Sequence, residues 1–375
     1  MTLSLRGTFL ASLAFGFAVT TTAPANSAEH FIGISDAEFA EEFADMAFSD
    51  SLEDQSAVAW MLFARANQQI ANPAGGTSSK WQAWASDPDT FQPNPSFEFN
   101  EVPRDDPHFV TSKKVLAGAV DTEDPSAGGE EVNRNQLSYD YVVGKGLNTK
   151  AGVAAYFKTE NAFVDAPIGA VEIKARWAQA DEPDTEGAYL FKAKSGTYAL
   201  VGLHIMAKMR PTPKDTFRSE DPSWFWTTFE FDGNVGLNNV RSLITYTDAL
   251  SPTKAIEILE LAGLKGLAFD RYSPNGTQIR FSDDDGKTAI ILGHSKMEDF
   301  AGVNINLKAP AGEPSQWTMF NSSCHACHST AAYNPATDSF TQMPLVAGQL
   351  PDAQMEALAG FKPLDFLWPI PFQAK

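Results

Sequence analysis

Three stretches with a period of two constrain this chain more than any other feature. Residues 169–177 (GAVEIKARW) alternate Val171, Ile173, Ala175 and Trp177 with Glu172, Lys174 and Arg176, the pattern of a strand with one buried face. The charged set is expected to be solvated. Residues 198–209 (YALVGLHIMAKM) and 224–231 (WFWTTFEF) are heavily apolar and are expected to be central antiparallel strands.

Before them the period is helical. Residues 51–70 put Leu52, Val58, Trp60, Leu62, Phe63 and Ile70 close to one stripe, open on Ser-Leu-Glu-Asp and stop at Asn72-Pro73, which predicts a helix. Gly75-Gly76 reads as a loop and residues 81–84 (WQAW) as aromatic packing in an irregular segment. The acidic, Gly-rich residues 122–131 read as an exposed loop or boundary. Ser251-Pro252-Thr253 predicts a helix to about Ala262, closed by Gly263, and residues 279–282 and 288–292 are expected to pair across Asp285-Gly286. The expected fold class is α+β, with an antiparallel β core. The division is 1–28 as a leader, 29–130 as a helical region and 131–375 as a β-rich domain.

The pentapeptide Cys324-His325-Ala326-Cys327-His328 uses the only two cysteines in the chain. Two thiols with this spacing on one helical turn can each add to a vinyl group of haem, and His328 then offers its imidazole to the iron. One covalent haem c is the cofactor implied, with Cys324, Cys327 and His328 binding it and His328 as the metal ligand. His325 occupies the variable position of the motif and is assigned no role. A disulfide in a C-x-x-C loop is the plainer alternative.

Residues 1–28 carry Arg6, an apolar run too short to span a bilayer, and small residues ending in Ala-Pro-Ala or Asn-Ser-Ala, the order of a cleaved secretory signal. An exported, periplasmic protein with no membrane segment after cleavage is expected. The chain has 28 basic and 47 acidic residues; without Arg6 that is 27 against 47, a net charge of −20. Such acidity argues against nucleic acid and anionic membranes, and suits a redox partner with a basic surface, if any protein docks. Asp283-Asp284-Asp285-Gly286 is no calcium loop, because aligning Gly286 on the loop glycine puts Phe281 and Leu292 where acids are needed.

The order of the GAVEIK strand, the long apolar strand, the aromatic strand, C-x-x-C-H and the terminal Asp365-Phe366-Leu367-Trp368, taken as a last strand, resembles the cytochrome P-460 family and its relatives, the cytochromes c-prime beta. The resemblance covers residues 167–231 and 323–372. It implies an antiparallel core, a haem held from a C-terminal helix, a five-coordinate iron and a pocket for small nitrogen species. It also implies a lysine crosslinked to the haem, for which Lys174 is one match. The chain departs from the family by its long N-terminal part and by residues 232–316.

The sixth iron position separates catalysis from electron transfer. His204, between Leu203 and Ile205 with Met206 on its own face, is a candidate distal residue or ligand; a hydrogen-bonded core histidine is the alternative. Glu230 is a candidate proton-transfer group if buried among its aromatic neighbours, and an edge carboxylate if not. Trp177, Trp224, Trp226 and Trp368 are expected core residues able to wall a haem pocket. Only Met343 and Met355 follow the motif as possible ligands of a carrier, with too little chain after them for a small electron-transfer cytochrome. The expected function is therefore redox chemistry or binding of hydroxylamine, nitric oxide or peroxide at the haem, with a periplasmic electron carrier as the alternative.

Overall fold

The computed structural model describes residues 27–110, 128–159, 162–212, 223–283, 288–298, 302–304, 318–320, 323–342, 347–348, 350 and 352–374. Residues 1–26 of the expected leader, and Met343, lie outside the described residues. The described residues open with helices α1 (Ser27–Gly33), α2 (Asp36–Glu42), α3 (Ala44–Ala47) and α4 (Leu52–Ala66). Ser51 caps α4 as expected, its Oγ accepting from the Asp54 amide at 3.2 Å, while Glu53 and Asp54 meet the positive end of the helix dipole. The helix ends at Ala66, short of Ile70, because Asn67 ties it off. The Asn67 side chain donates to the Phe63 carbonyl at 2.9 Å and accepts from Ser79 Oγ and Trp81 Nε1 at 3.0 and 3.1 Å. Those bonds turn the chain into a hairpin of β1 (Gln69–Ala71) and β2 (Thr77–Ser79). The segment expected to be irregular is a 3₁₀ turn, Lys80–Ala83, with Trp81 fully buried.

The later helices are α5 (Asp87–Thr90), α6 (Gln136–Gly144), α7 (Lys150–Tyr156), α8 (Leu237–Arg241), α9 (Pro252–Leu261), α10 (Cys324–His328), α11 (Asp352–Ala357) and α12 (Pro369–Gln373). In α9 the expected punctuation holds, with Ser251 as the cap and Gly263 at φ 71° just after the end, where a Cβ would be strained.

Strands β3 (Ala85–Ser86), β4 (Gly128–Arg134), β5 (Val171–Gln179), β6 (Leu190–Lys192), β7 (Thr197–Lys208), β8 (Trp224–Phe231) and β9 (Tyr272–Gln278) form one antiparallel sheet. Its order is β3-β4-β5-β7-β8-β9, with β6 also paired to β7. Register sets Ile173 beside Ile205 and Thr227, Lys174 beside His204 and Thr228, and Glu172 beside Met206 and Trp226. Because successive side chains alternate, these rows belong to opposite faces. Ile173, Ala175, Trp177, Leu203, Ile205, Phe225 and Phe229 bury one face against α1–α4 and α9. The division expected after residue 130 falls inside β4; of the loop expected at 122–131, residues 128–131 belong to that strand and residues 122–127 lie outside the described residues.

The other face is covered too, which overturns the expectation of a solvated charged row. Phe91, Val142, Leu147 and Val153 of α5–α7 and their connections share a core there with Met206, Trp224, Trp226, Leu367 and Trp368. Beneath that layer Glu172 and Lys174 are buried and Arg176 is half-buried. Each buried charge on it has a partner, as burial requires. Glu172 meets the fully buried Arg134 at 2.6 Å, Arg134 also meets Asp87, and Lys174 meets Glu130 at 2.8 Å.

The remaining strands are short: β10 (Gly302–Asn304) pairs β11 (Thr318–Phe320), and β12 (Ala332–Asn334) lies between β13 (Ser339–Phe340) and β14 (Lys362–Pro363). Residues 365–368 are not the expected last strand. Asp365 and Phe366 take φ of 48° and 64°, a turn, and Trp368 opens α12. Residues 279–282 and 288–292 pair at a bridge of Ser282 with Ala289, flanked by the Ile290 amide donating to the Phe281 carbonyl at 3.1 Å and the Asp283 amide to the Thr288 carbonyl at 2.8 Å; residues 284–287 lie outside the described residues. The fold is α+β, an antiparallel sheet between two covering layers. No helix among the described residues is long and apolar enough to cross a membrane.

Candidate functional site

The pentapeptide forms α10 and docks on the charged face of the sheet. Ser323 caps the turn, its Oγ accepting from the Ala326 amide at 3.3 Å. Gln278, the last residue of β9 and fully buried, donates to that Oγ at 2.7 Å and accepts from the His325 amide at 3.3 Å. The far end is held by Trp368, whose Nε1 donates to the Cys327 carbonyl at 2.8 Å. Neither Gln278 nor the capping Ser323 was legible as a site residue, because their role depends on β9 ending beneath the turn.

Cys324 and Cys327 are half-buried and one turn apart, and so lie on one side of the helix. His328 is half-buried, with its Nδ1 2.8 Å from the Phe366 carbonyl oxygen. A carbonyl only accepts, so Nδ1 carries the proton and Nε2 keeps the lone pair. That tautomer leaves Nε2 as the atom that can bind a metal, with an accepting partner behind the ring. The Trp226 ring lies 4.4 Å from the His328 ring. His325, assigned no role from the sequence, is fully buried against Trp226, Phe281 and Phe366, at ring distances of 6.2, 5.5 and 5.3 Å. It is a core residue of the site.

His204 shares this face, one residue pair along β7 and β8 from Met206 and Trp226, about 7 Å at the usual strand rise. Both its nitrogens are engaged, Nδ1 with Thr228 Oγ1 at 2.5 Å and Nε2 with Glu298 Oε1 at 2.7 Å. Glu298 Oε2 accepts from the His294 amide at 2.7 Å. Burial pushes the Glu298 carboxyl up, but His204, Lys174 and His294 together hold it down to about 2. His294 is fully buried, and loss of water holds its imidazole down to about 4 despite Glu230 nearby. Its Nδ1 accepts from the Lys296 amide at 2.9 Å, so the proton is on Nε2, 3.9 Å from Glu230. Burial pulls Lys174 down, but Glu130 and Glu298 outweigh it and leave the ammonium raised.

Glu230 is a further pair along, fully buried. It accepts from Asn275 Nδ2 at 2.7 Å, Asn234 Nδ2 at 3.1 Å, the Ser295 amide at 3.2 Å and Ser295 Oγ. The carboxylate thereby anchors the segment that carries His294 and Glu298. Sequence reasoning missed both of those residues, since GHSKMED has neither helical nor strand period and only β7 and β8 bring it to His204. The structure thus gathers Cys324, Cys327, His328, His204 and Glu230 on one face of the sheet. Trp224, Trp226 and Trp368 line that side; Trp177 is on the opposite face, against Trp81. Met355 is 52% exposed on α11. Among the described residues no group of three or more His, Cys, Asp or Glu is arranged to hold a bare metal ion.

No protein-family model, curated protein or solved structure matches the chain.

Proposed function

We propose that this chain is an exported monohaem c-type cytochrome, with haem c bound covalently through Cys324 and Cys327 and its iron held by His328. The observation that carries the reading is the Nδ1 contact of His328 with the Phe366 carbonyl, which leaves Nε2 able to bind a metal directly after the Cys324–Cys327 pair. A bare ion would find one strong donor at His328, whereas a haem brings four ring nitrogens of its own. When bound, the haem supplies the redox and small-ligand chemistry; the chain's own groups orient it and set its surroundings. The antiparallel sheet under α10 is the kind of core that the P-460-like resemblance implies.

Small-ligand or oxidoreductase chemistry, on the hydroxylamine, nitric oxide or peroxide class, fits better than simple electron transfer. An imidazole needs one nitrogen for the metal, and both nitrogens of His204 are taken by Thr228 and Glu298. Met355 points no buried sulfur at the site, being largely exposed. His204 with Glu298 would instead hold or pass a proton beside a ligand. The N-terminal sequence supports export to the periplasm, and the acidic balance supports a basic redox partner.

The test is the protein made in a host with haem-attachment machinery. Haem that resists acid-acetone extraction and gives a haemochrome spectrum of two thioether bonds is expected, and a chain whose mass shows only a disulfide refutes the reading. The reduced protein should be high-spin and bind carbon monoxide; a low-spin ferrous spectrum indifferent to carbon monoxide would favour the electron carrier.

A further inference from the structure

The carbonyl that accepts from His328 belongs to a conformation that ordinary residues avoid. Asp365 and Phe366 are consecutive, neither is glycine, and both lie in the left-handed region at φ 48° and 64°. Such a turn persists only where its surroundings impose it. Here Asp365 is the imposed point. Its carboxylate accepts from Lys208 Nζ at 3.0 and 3.1 Å, from Trp224 Nε1 at 2.9 Å and from the Ala166 amide at 2.6 Å. Lys208 and Trp224 are register partners at the end of the β7–β8 ladder, so two of the three donors are fixed to adjacent strands of the sheet. Lys208 lies over the Trp224 ring at 5.5 Å and also meets Asp165 at 3.1 Å. The side chains of Asp365 and Lys208 are 2% and 4% exposed, so the pair is screened little by solvent.

We infer that Asp365, clamped by Lys208 and Trp224, is a positioning residue for His328: it holds the strained turn that aims the Phe366 carbonyl at His328 Nδ1. Through that bond it sets how strongly Nε2 donates to iron. This rests on the reading of His328 as the iron ligand. Removing the acceptor makes the imidazole a poorer donor and favours the ferrous state.

Asp365→Asn keeps the shape and removes the charge that holds Lys208. In the holoprotein it should raise the reduction potential and lower the iron–histidine stretching frequency in the resonance Raman spectrum. Trp224→Phe should do the same to a smaller extent. Glu172→Gln breaks a comparably buried ion pair on the same face, and should lower the melting temperature while leaving both quantities unchanged. A second readout needs no haem: in the full chain with Cys324→Ser and Cys327→Ser, the nitrogen-15 shifts of His328 should report a single Nδ1-protonated tautomer, and Asp365→Asn should convert it to a mixture. A tautomer unmoved by Asp365→Asn overturns the inference, as does a Glu172→Gln holoprotein that shifts like Asp365→Asn. A wild-type chain that never acquires haem overturns the iron-ligand reading itself, and that result is seen before any variant is compared.

Discussion

Phe63 of α4 lies flat on Phe229 of β8, with ring centroids 4.1 Å apart and planes inclined by 13°. This contact joins the helical start of the chain to the centre of the sheet, and Trp60 closes its edge at 5.1 Å from Phe229. Phe63→Ala should therefore destabilise the protein by about 3–5 kcal/mol, the cost of an aromatic cavity that its neighbours cannot fill. Chemical denaturation measures it. A loss below about 1 kcal/mol would mean that α4 does not share a core with the sheet.

Gly202 exists at its position because His294 occupies the space over it. A Cβ at residue 202 would stand 2.0 Å from His294 Nε2. Gly202→Ala should cost about 1–3 kcal/mol through overpacking and shift the 294–298 segment. Combined with His294→Ala the two losses should be far from additive, because the second change removes the atom that the first one strikes. Strict additivity in a double-mutant cycle would contradict the packing.

Acid should lower the stability of the protein over two adjoining pH ranges. His294 is held down to about 4 from its ordinary 6.5, so as pH falls the unfolded chain takes up the proton first and stability drops between about 6.5 and 4. Glu298, held down to about 2 from 4.5, contributes stability above 4.5 that is lost between about 4.5 and 2. Each loss is about 3 kcal/mol at full extent. Denaturation midpoints measured against pH should show His294→Gln flattening the upper range, and Glu298→Gln the lower. Unchanged slopes in both variants would refute the assignment.

The two histidines of the pentapeptide should fail in different ways. His325 fills a buried site between three aromatic rings, so His325→Ala should destabilise by about 2–4 kcal/mol in denaturation while the absorption spectrum of the folded protein stays that of wild type. His328→Ala should shift the Soret band or prevent haem retention, with a smaller loss of stability. A spectral change from His325→Ala equal to that from His328→Ala would mean that the ligand has been misassigned.

Local chemistry decided much of the framework. Ser51 and Ser251 start helices wherever their hydroxyls can meet an orphan amide, Gly263 ends one because it alone adopts φ 71° without strain, and the period of two in residues 169–177, 198–209 and 224–231 is the pleat itself. The thiol spacing of Cys324 and Cys327 and the adjacent His328 were equally legible, since one helical turn contains them.

Only the tertiary structure decided which surfaces are covered and which distant groups meet. Alternation reveals that Glu172, Lys174 and Arg176 share a face, but α5–α7 and the C-terminal segment bury that face, so its charges had to find Arg134 and Glu130. Asp365-Phe366-Leu367-Trp368 has the composition of a strand, yet Lys208 and Trp224 hold Asp365 in a turn. Glu298 reaches His204, and Phe366 reaches His328, across 94 and 38 residues. Nothing local encodes such pairs: burial strips water from both partners at once and each then needs the other to offset its lost hydration, which happens only after the sheet has brought them together.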